Sequence, residues 1–419
     1  MNAFDRESEY DDSRKVVHYE PSFNTSSKLE FNILPDKRFL SLRDSLLFVT
    51  FEVPDHLVVD NFCADALFQS IDVFINHELV TSKTSNADNY LTSLFLSKAM
   101  YNEPYLNIAG AINGIYNDKN MDTEELSTPY IDSRRKEAEI LSKTIDGEVV
   151  TYYRYELCIC LNIGLGKFYD LIISYSTFYL AKQPIPLPRG VPIQICLNRA
   201  HANKALIKKE ESSKPLSDDT IKILSPTLAC YFVESVKAES FYSKTKLYDV
   251  SIDFLDYNIR RELLSEGVAD HKLKLFEGPL PSGIVIGFMD PEAFDGDYAK
   301  SSVKFEKHNI DTVDLQVDNL SLVDFPLSMK SNNYIEFYLN YLKSTNRFQN
   351  AYASGAISFN NFSSNFLIFK DLKEDNLSSG QLILKLKFKE VLSKKLYVIF
   401  MPMFEKSVSF DSHLNISVK

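Results

Sequence analysis

The stretch LFQSIDVFINHELV, residues 67–80, alternates apolar and polar side chains, pauses at Asn76-His77 and then resumes the alternation. A period of two is the mark of a strand with one buried face, and Asn at the pause is hairpin chemistry. His77 stands where the favoured two-residue turn has Gly. A side chain with a Cβ tolerates positive φ poorly, so the residues predict a turn wider than two.

The hairpin recurs. IDVFINHEL (71–79) and VDLQVDNLSL (313–322) both place apolar-Asp-apolar-any-apolar ahead of an Asn/Asp-type turn, and both are followed by an Asn-Tyr that opens a predicted helix. Asn89 follows Ile75 at nearly the same spacing as Asn333 follows Val317. An ordered strand, turn and helix at nearly equal spacing is the signature of a duplicated domain. The predicted helices span 86–101 and 332–344, with packing stripes Leu91, Leu94, Phe95 and Ile335, Tyr338, Leu339, Leu342.

Strand-like runs surround both hairpins. In the front half they fall at 27–33, 46–53, 70–75, 156–163, 191–198 and 227–236; in the back half at 247–254, 282–289, 311–317, 366–372, 381–388 and 396–404. Leu382, Leu384, Leu386 and Phe388 alternate strictly toward one face. The expected fold is all-β, two tandem eight-stranded antiparallel sandwiches of the jelly-roll kind, each with a short helix after its central hairpin. The expected divisions are a polar arm (1–19), a first sandwich (20–240) and a second (241–419). The chain between Asn89-Tyr90 and the strand at 191 is about twice as long as that between Asn333-Tyr334 and the strand at 381. The first half therefore carries an insertion at about 102–155, and long loops of this kind are usually functional.

Composition narrows the function. The 419 residues carry a net charge of -11, which opposes the phosphate neutralisation that direct nucleic-acid binding requires. Five cysteines in strand-like surroundings fit reduced, buried thiols, and Cys158-x-Cys160 has no second ligand pair for zinc. The start lacks a secretory signal, and the apolar run at 46–53 is too short to span a bilayer, so an intracellular soluble product is expected. LNIGLGKF (161–168) lacks the spacing and the Ser or Thr of a phosphate loop, and DPEAFDGD (290–297) lacks the pattern of a calcium loop and reads as an acidic surface turn. The seven His are scattered and no nucleophile turn stands out. No enzyme activity, cofactor or metal is expected.

Three separated segments carry a resemblance. FQSIDVFINHELV with NYLTSLF (68–95), the run 276–317 from FEGPLPSG to VDLQV, and the run 351–411 from AYASGAIS to SVSFD resemble, in order and spacing, the major capsid proteins of Polinton (Maverick) elements and adintoviruses. The likeness covers most of 20–415 and leaves 1–19 and 102–155 unmatched. It implies a double jelly-roll capsid protein of the tectivirus and adenovirus lineage, whose homotrimers form pseudo-hexagonal capsomers of an icosahedral shell. Its fingerprint positions here are Phe68, Asp72, Val73, Asn76, Tyr90, Asp314, Asn333 and Tyr334. It implies as partners neighbouring capsomers, with penton and minor capsid proteins, and a place in the virion after synthesis in the host cytoplasm and assembly there or in the nucleus. Tyr105, Tyr116 and Tyr130 of the insertion are expected in trimer contacts or an exposed tower, since Tyr is enriched at interfaces. A tandem β-sandwich module binding carbohydrate or protein is the alternative, weakened by the absence of Trp.

Overall fold

The computed structural model describes residues 14–60, 63–80, 90–92, 94–95, 134–136, 138–145, 147–160, 186–208, 221–297, 300–329, 334–345, 357–360, 362–363 and 365–418. The front half contains eight principal strands: β1 Lys15–Tyr19, β2 Lys28–Ile33, β3 Phe39–Pro54, β4 Phe68–Ile75, β5 Glu78–Leu79, β6 Glu148–Cys160, β7 Ile193–Arg199 and β8 Thr227–Val233. The back half contains eight more: β9 Val250–Tyr257, β10 Asp270–Pro279, β11 Gly283–Met289, β12 Ile310–Val317, β13 Leu320–Ser321, β14 Leu367–Asp371, β15 Ser379–Phe388 and β16 Leu396–Phe410.

The two halves have one topology. The front sheets run β1-β8-β3-β6 and β2-β7-β4-β5, and the back sheets run β9-β16-β11-β14 and β10-β15-β12-β13. Adding eight to each front label gives the back sheet, strand for strand. All these pairings are antiparallel, and pairing the first strand with the eighth is the closure expected of a jelly roll.

Alternation explains the match. Phe68, Ile71, Val73 and Ile75 of β4 point into the core, and Ile310, Val313, Leu315 and Val317 of β12 do so at the same spacing. Ile75 pairs with Ile193 of β7, and Val317 with Leu382 of β15. The first turn residue then donates its N–H to the equivalent carbonyl, Asn76 to Pro192 at 2.9 Å and Asp318 to Gln381 at 3.1 Å. Leu382, Leu384, Leu386 and Phe388 are all buried, as their alternation predicts.

The turn is narrower than the residues predict. Ile75 pairs directly with Glu78, and Asn76 and His77 have φ of 48° and 70°. The repeat does the same: Val317 pairs with Leu320, with Asp318 and Asn319 at 50° and 68°. Both are two-residue primed turns, whose twist matches that of the strands they join. That match outweighs the cost of placing His77 in the left-handed region.

Other boundaries also shift. Residues 15–19, expected in the polar arm, form β1 against β8. Residues 148–155, expected in the insertion, belong to β6 beside β3, and Glu139–Ile145 adds an edge strand to β6. Leu91, Leu94 and Phe95 are buried as expected. In the second helix, Ile335–Ser344, the buried face is instead Phe337, Asn340 and Tyr341, with Ile335 turned outward. Ser344 and Phe369 join this helix to β14, and Phe337 and Tyr341 pack on Phe366 and Phe369. Cys63, Cys158, Cys196 and Cys230 are buried, and burial pushes the Cys63 and Cys230 thiols up to about 12.

The turn geometry yields a prediction. His77→Gly removes the Cβ from a left-handed position and raises stability by about 0.5–1 kcal/mol, after the extra chain entropy of Gly is counted. Thermal unfolding of the purified variant reads the gain as a higher midpoint.

Candidate assembly surfaces

Because successive strands run in opposite directions, the connections sort to two ends. One end carries the tight links: residues 34–38, Asn76-His77, 280–282 and Asp318-Asn319. The other carries the links that join β3 to β4, β5 to β6 and β7 to β8, with their counterparts in the back half. We call them the turn end and the loop end. The helix Val236–Ser243 joins the halves at the turn end, where Ser235 caps it by accepting from the Ala238 N–H. Arg189 ties it down by ion pairs to Glu234 and Glu239.

The halves meet at both ends. At the loop end Asp60, only 2% exposed, accepts hydrogen bonds from the Ser301 hydroxyl at 3.0 Å and the Ser302 N–H at 3.3 Å. Burying a carboxyl without hydrogen bonds is costly, and these donors supply them across the contact. On the β7–β8 connection, Asn203 donates to the Asp295 carbonyl and Lys204 to the Phe294 carbonyl, with the Lys204 ammonium 4.5 Å from the centre of the Phe294 ring. From the helix after the front hairpin, the Phe95 ring lies 5.1 Å from that of Phe305. At the turn end Asn76 donates to the Leu414 carbonyl, and Tyr242 meets Phe410 edge-on at 5.7 Å.

The contact is head to tail. The front half offers Asp60 of its β3–β4 connection, its β7–β8 connection and the helix after its hairpin; the back half answers chiefly with the β11–β12 connection, 290–309. That connection opens on a capped turn. DPEAFDGD, expected as an acidic surface turn, is a capped helical turn: Asp290 accepts from the Glu292 N–H, Pro291 opens Pro291–Asp295, and Gly296 closes it at φ 89°. Lys300 and Lys394 both pair with Asp290. Burial raises the Asp290 carboxyl, but hydrogen bonds from Lys394, Lys300 and the Glu292 N–H outweigh it and hold the group at about 2.

Phe68, Val73 and Tyr90 are core residues. Asp72 accepts from Asn198 of β7 at 3.0 Å, and Asp314 accepts from Ser321 of β13 at 3.0 Å and from Gln316. Asn76 opens its turn, and the Tyr334 hydroxyl donates to the Phe359 carbonyl. Asn333 and the insertion tyrosines Tyr105, Tyr116 and Tyr130 lie outside the described residues, as does 161–168. The described part of the insertion is a hairpin anchored on Glu52 of β3. Burial raises the Glu52 carboxyl, and hydrogen bonds from Lys143 and Arg154 bring it below the usual carboxylate range. Its edge exposes Ile140 and Val149. Asp60, Asn203 and Lys204 carry no sequence signal, because their partners are distant along the chain.

Among the described residues no cluster of three His, Cys, Asp or Glu side chains could hold a metal, and no helix is long and apolar enough to cross a membrane. A cleft at the loop end, lined by Thr25, Arg199, His201 and Lys222 among others, has no carboxylate in its described wall.

No protein-family model matches the chain, and no curated protein does. Solved structures match over nearly its whole length. A chain of the Sputnik virophage structure aligns with a TM-score of 0.64 at 8% identity, covering 98% of this chain and 89% of that one. The PBCV-1 virus capsid gives 0.55 at 9% identity over 96% of each, and the mavirus major capsid protein 0.53 at 10% over 96% and 90%. The likeness is one of fold, and the fold is the double jelly roll that the sequence predicts.

Two outcomes test the junction. A Cβ at Gly287 of β11 would run into the Phe305 ring, which carries the contact to Phe95, so Gly287→Ala costs about 1–3 kcal/mol and lowers the thermal midpoint. For Asp290, a folded pKa of about 2 lies below the unfolded 3.8. Its stabilising contribution is complete above pH 3.8 and is lost as pH falls toward 2. Asp290→Asn therefore lowers the midpoint at neutral pH and flattens its decline between about pH 4 and 2.

Proposed function

We propose that this chain is a major capsid protein whose homotrimers are pseudo-hexagonal capsomers of an icosahedral virus or virus-like shell. The observation that carries the reading is the duplication itself: two sandwiches of one topology, in one register, joined head to tail. A head-to-tail contact between like units either closes into a ring or runs on as a filament. Three copies of a two-unit chain supply six units, and six near-equal corners tile a surface with near-sixfold packing. The fold shared with the PBCV-1 capsid and the mavirus major capsid protein supports the same reading.

The finer assignment, to the Polinton and adintovirus relatives, rests on the three segments quoted above. On it the partners are copies of the same chain, neighbouring capsomers and penton and minor capsid proteins, and the protein resides in the virion. The insertion adds to the trimer contact or to a tower at the loop end. Deleting 106–133, and so sparing the Glu139–Ile145 edge strand and β6, is expected to weaken the trimer while leaving the monomer folded.

The reading is tested by mass and by image. The expected particle has three times the 48.0 kDa mass of one chain, which light scattering of the purified protein resolves from monomer. Electron microscopy is expected to show six-cornered particles about a threefold axis. A protein that stays at 48.0 kDa at high concentration overturns the reading.

A further inference from the structure

One position breaks the duplication. Arg199 of β7 stands opposite Phe68 of β4, and Phe388 of β15 stands opposite Ile310 of β12, each pairing reached across a bulge. The main-chain bonds agree: the Arg199 N–H donates to the Ser27 carbonyl, and the Phe388 N–H to the Ala269 carbonyl. Phe388 is 2% exposed. The position that holds a core ring in the back half therefore holds a guanidinium in the front half.

That guanidinium has no counter-charge. Among the described residues nothing accepts a hydrogen bond from it, and its Nε is buried without an acceptor. Burial lowers the group from its ordinary value, and no anionic neighbour raises it again. A half-buried cation in this state is costly, and residues that break a fold's own pattern at such a cost mark functional positions.

Arg199 lines the loop-end cleft, which has a volume of about 440 Å³. Lys222 lines it too, exposed on the short strand Lys222–Ile223 that pairs with β3. The described wall contains no carboxylate, so its fixed charges are all positive. Leu67, Ile221 and Ile223 give the same cleft an aliphatic side. A space of this size takes a small organic molecule. The planar fork of Arg matches two oxygens of a carboxylate or a phosphate. Two fixed cations favour the phosphate, because a phosphate monoester carries a charge of about -1.5 to -2 at neutral pH and a carboxylate carries one.

We propose that this cleft binds a phosphate monoester, with Arg199 and Lys222 on the phosphate and the organic group against Leu67 and Ile223. The site goes beyond the assembly reading and does not rest on it.

Titration calorimetry of the full chain with phenyl phosphate is expected to show saturable binding that weakens as salt is raised. Phenyl sulfate, with the same ring and a smaller charge, is expected to bind more weakly. Arg199→Gln is expected to weaken phenyl phosphate binding at least about tenfold, because the charge-assisted fork is lost. Without ligand its thermal midpoint is expected to equal or exceed that of the wild type, since the stranded charge is gone, and phenyl phosphate no longer raises it. A purely structural arginine would give the opposite change in midpoint. Lys222→Gln, at an exposed position outside the core, is expected to weaken binding several-fold and provides the same readout should Arg199→Gln fail to fold. A wild type that shows no saturable binding of phenyl phosphate overturns the inference, as do variants at Arg199 and Lys222 that bind it as tightly as the wild type does. The mass that tests the capsid reading is a separate measurement and leaves this outcome unchanged.

Discussion

A two-residue turn with both central φ angles positive sets the register of each half, and register sets everything built on it. Side chains on a strand alternate, so a slip of one residue would carry Phe68, Ile71, Val73 and Ile75 from the core to solvent. The chain meets this constraint twice, once in each half, with Asn-His in one turn and Asp-Asn in the other. That His77 accepts a left-handed conformation shows which effect wins: the match between turn twist and strand twist outweighs a local preference worth about 1–2 kcal/mol. Once the hairpin is placed, β7 and β15 follow from the Asn76 and Asp318 N–H bonds, and the two sheets of each sandwich close over the inward rows.

Much of this was legible in the residues, for reasons that also mark where legibility ends. Strict alternation at 382–388 and the repeat of apolar-Asp-apolar before a turn are local signals, and the structure bears both out. The first strand, KVVHY, carries too little apolar character to declare itself; it is a strand because β8 offers it a partner. DHKLKLFEGP, which forms β10, hides in the same way behind charges on its outer face. In the second helix two apolar stripes compete, Ile335 with Leu339 and Phe337 with Tyr341, and periodicity cannot choose between them. The neighbouring Phe366 and Phe369 choose, by filling the space above Phe337 and Tyr341.

The junction between halves was the least legible part. Its central residue, Asp60, sits among Leu57, Val58 and Val59, and reads as the end of a buried strand. Its donors, Ser301 and Ser302, are ordinary loop residues. Long-range polar contacts of this kind leave no periodic trace, since each partner is chosen by position alone. The duplication was visible because it is a pattern; the way its two copies grip each other was not, because it is a geometry.

The deep placement of the thiols has a chemical consequence. Burial pushes the Cys63 and Cys230 thiols up to about 12, which disfavours the thiolate, the species that attacks, at neutral pH. Those two sulfurs therefore resist bridge formation when the chain passes from a reducing to an oxidising medium.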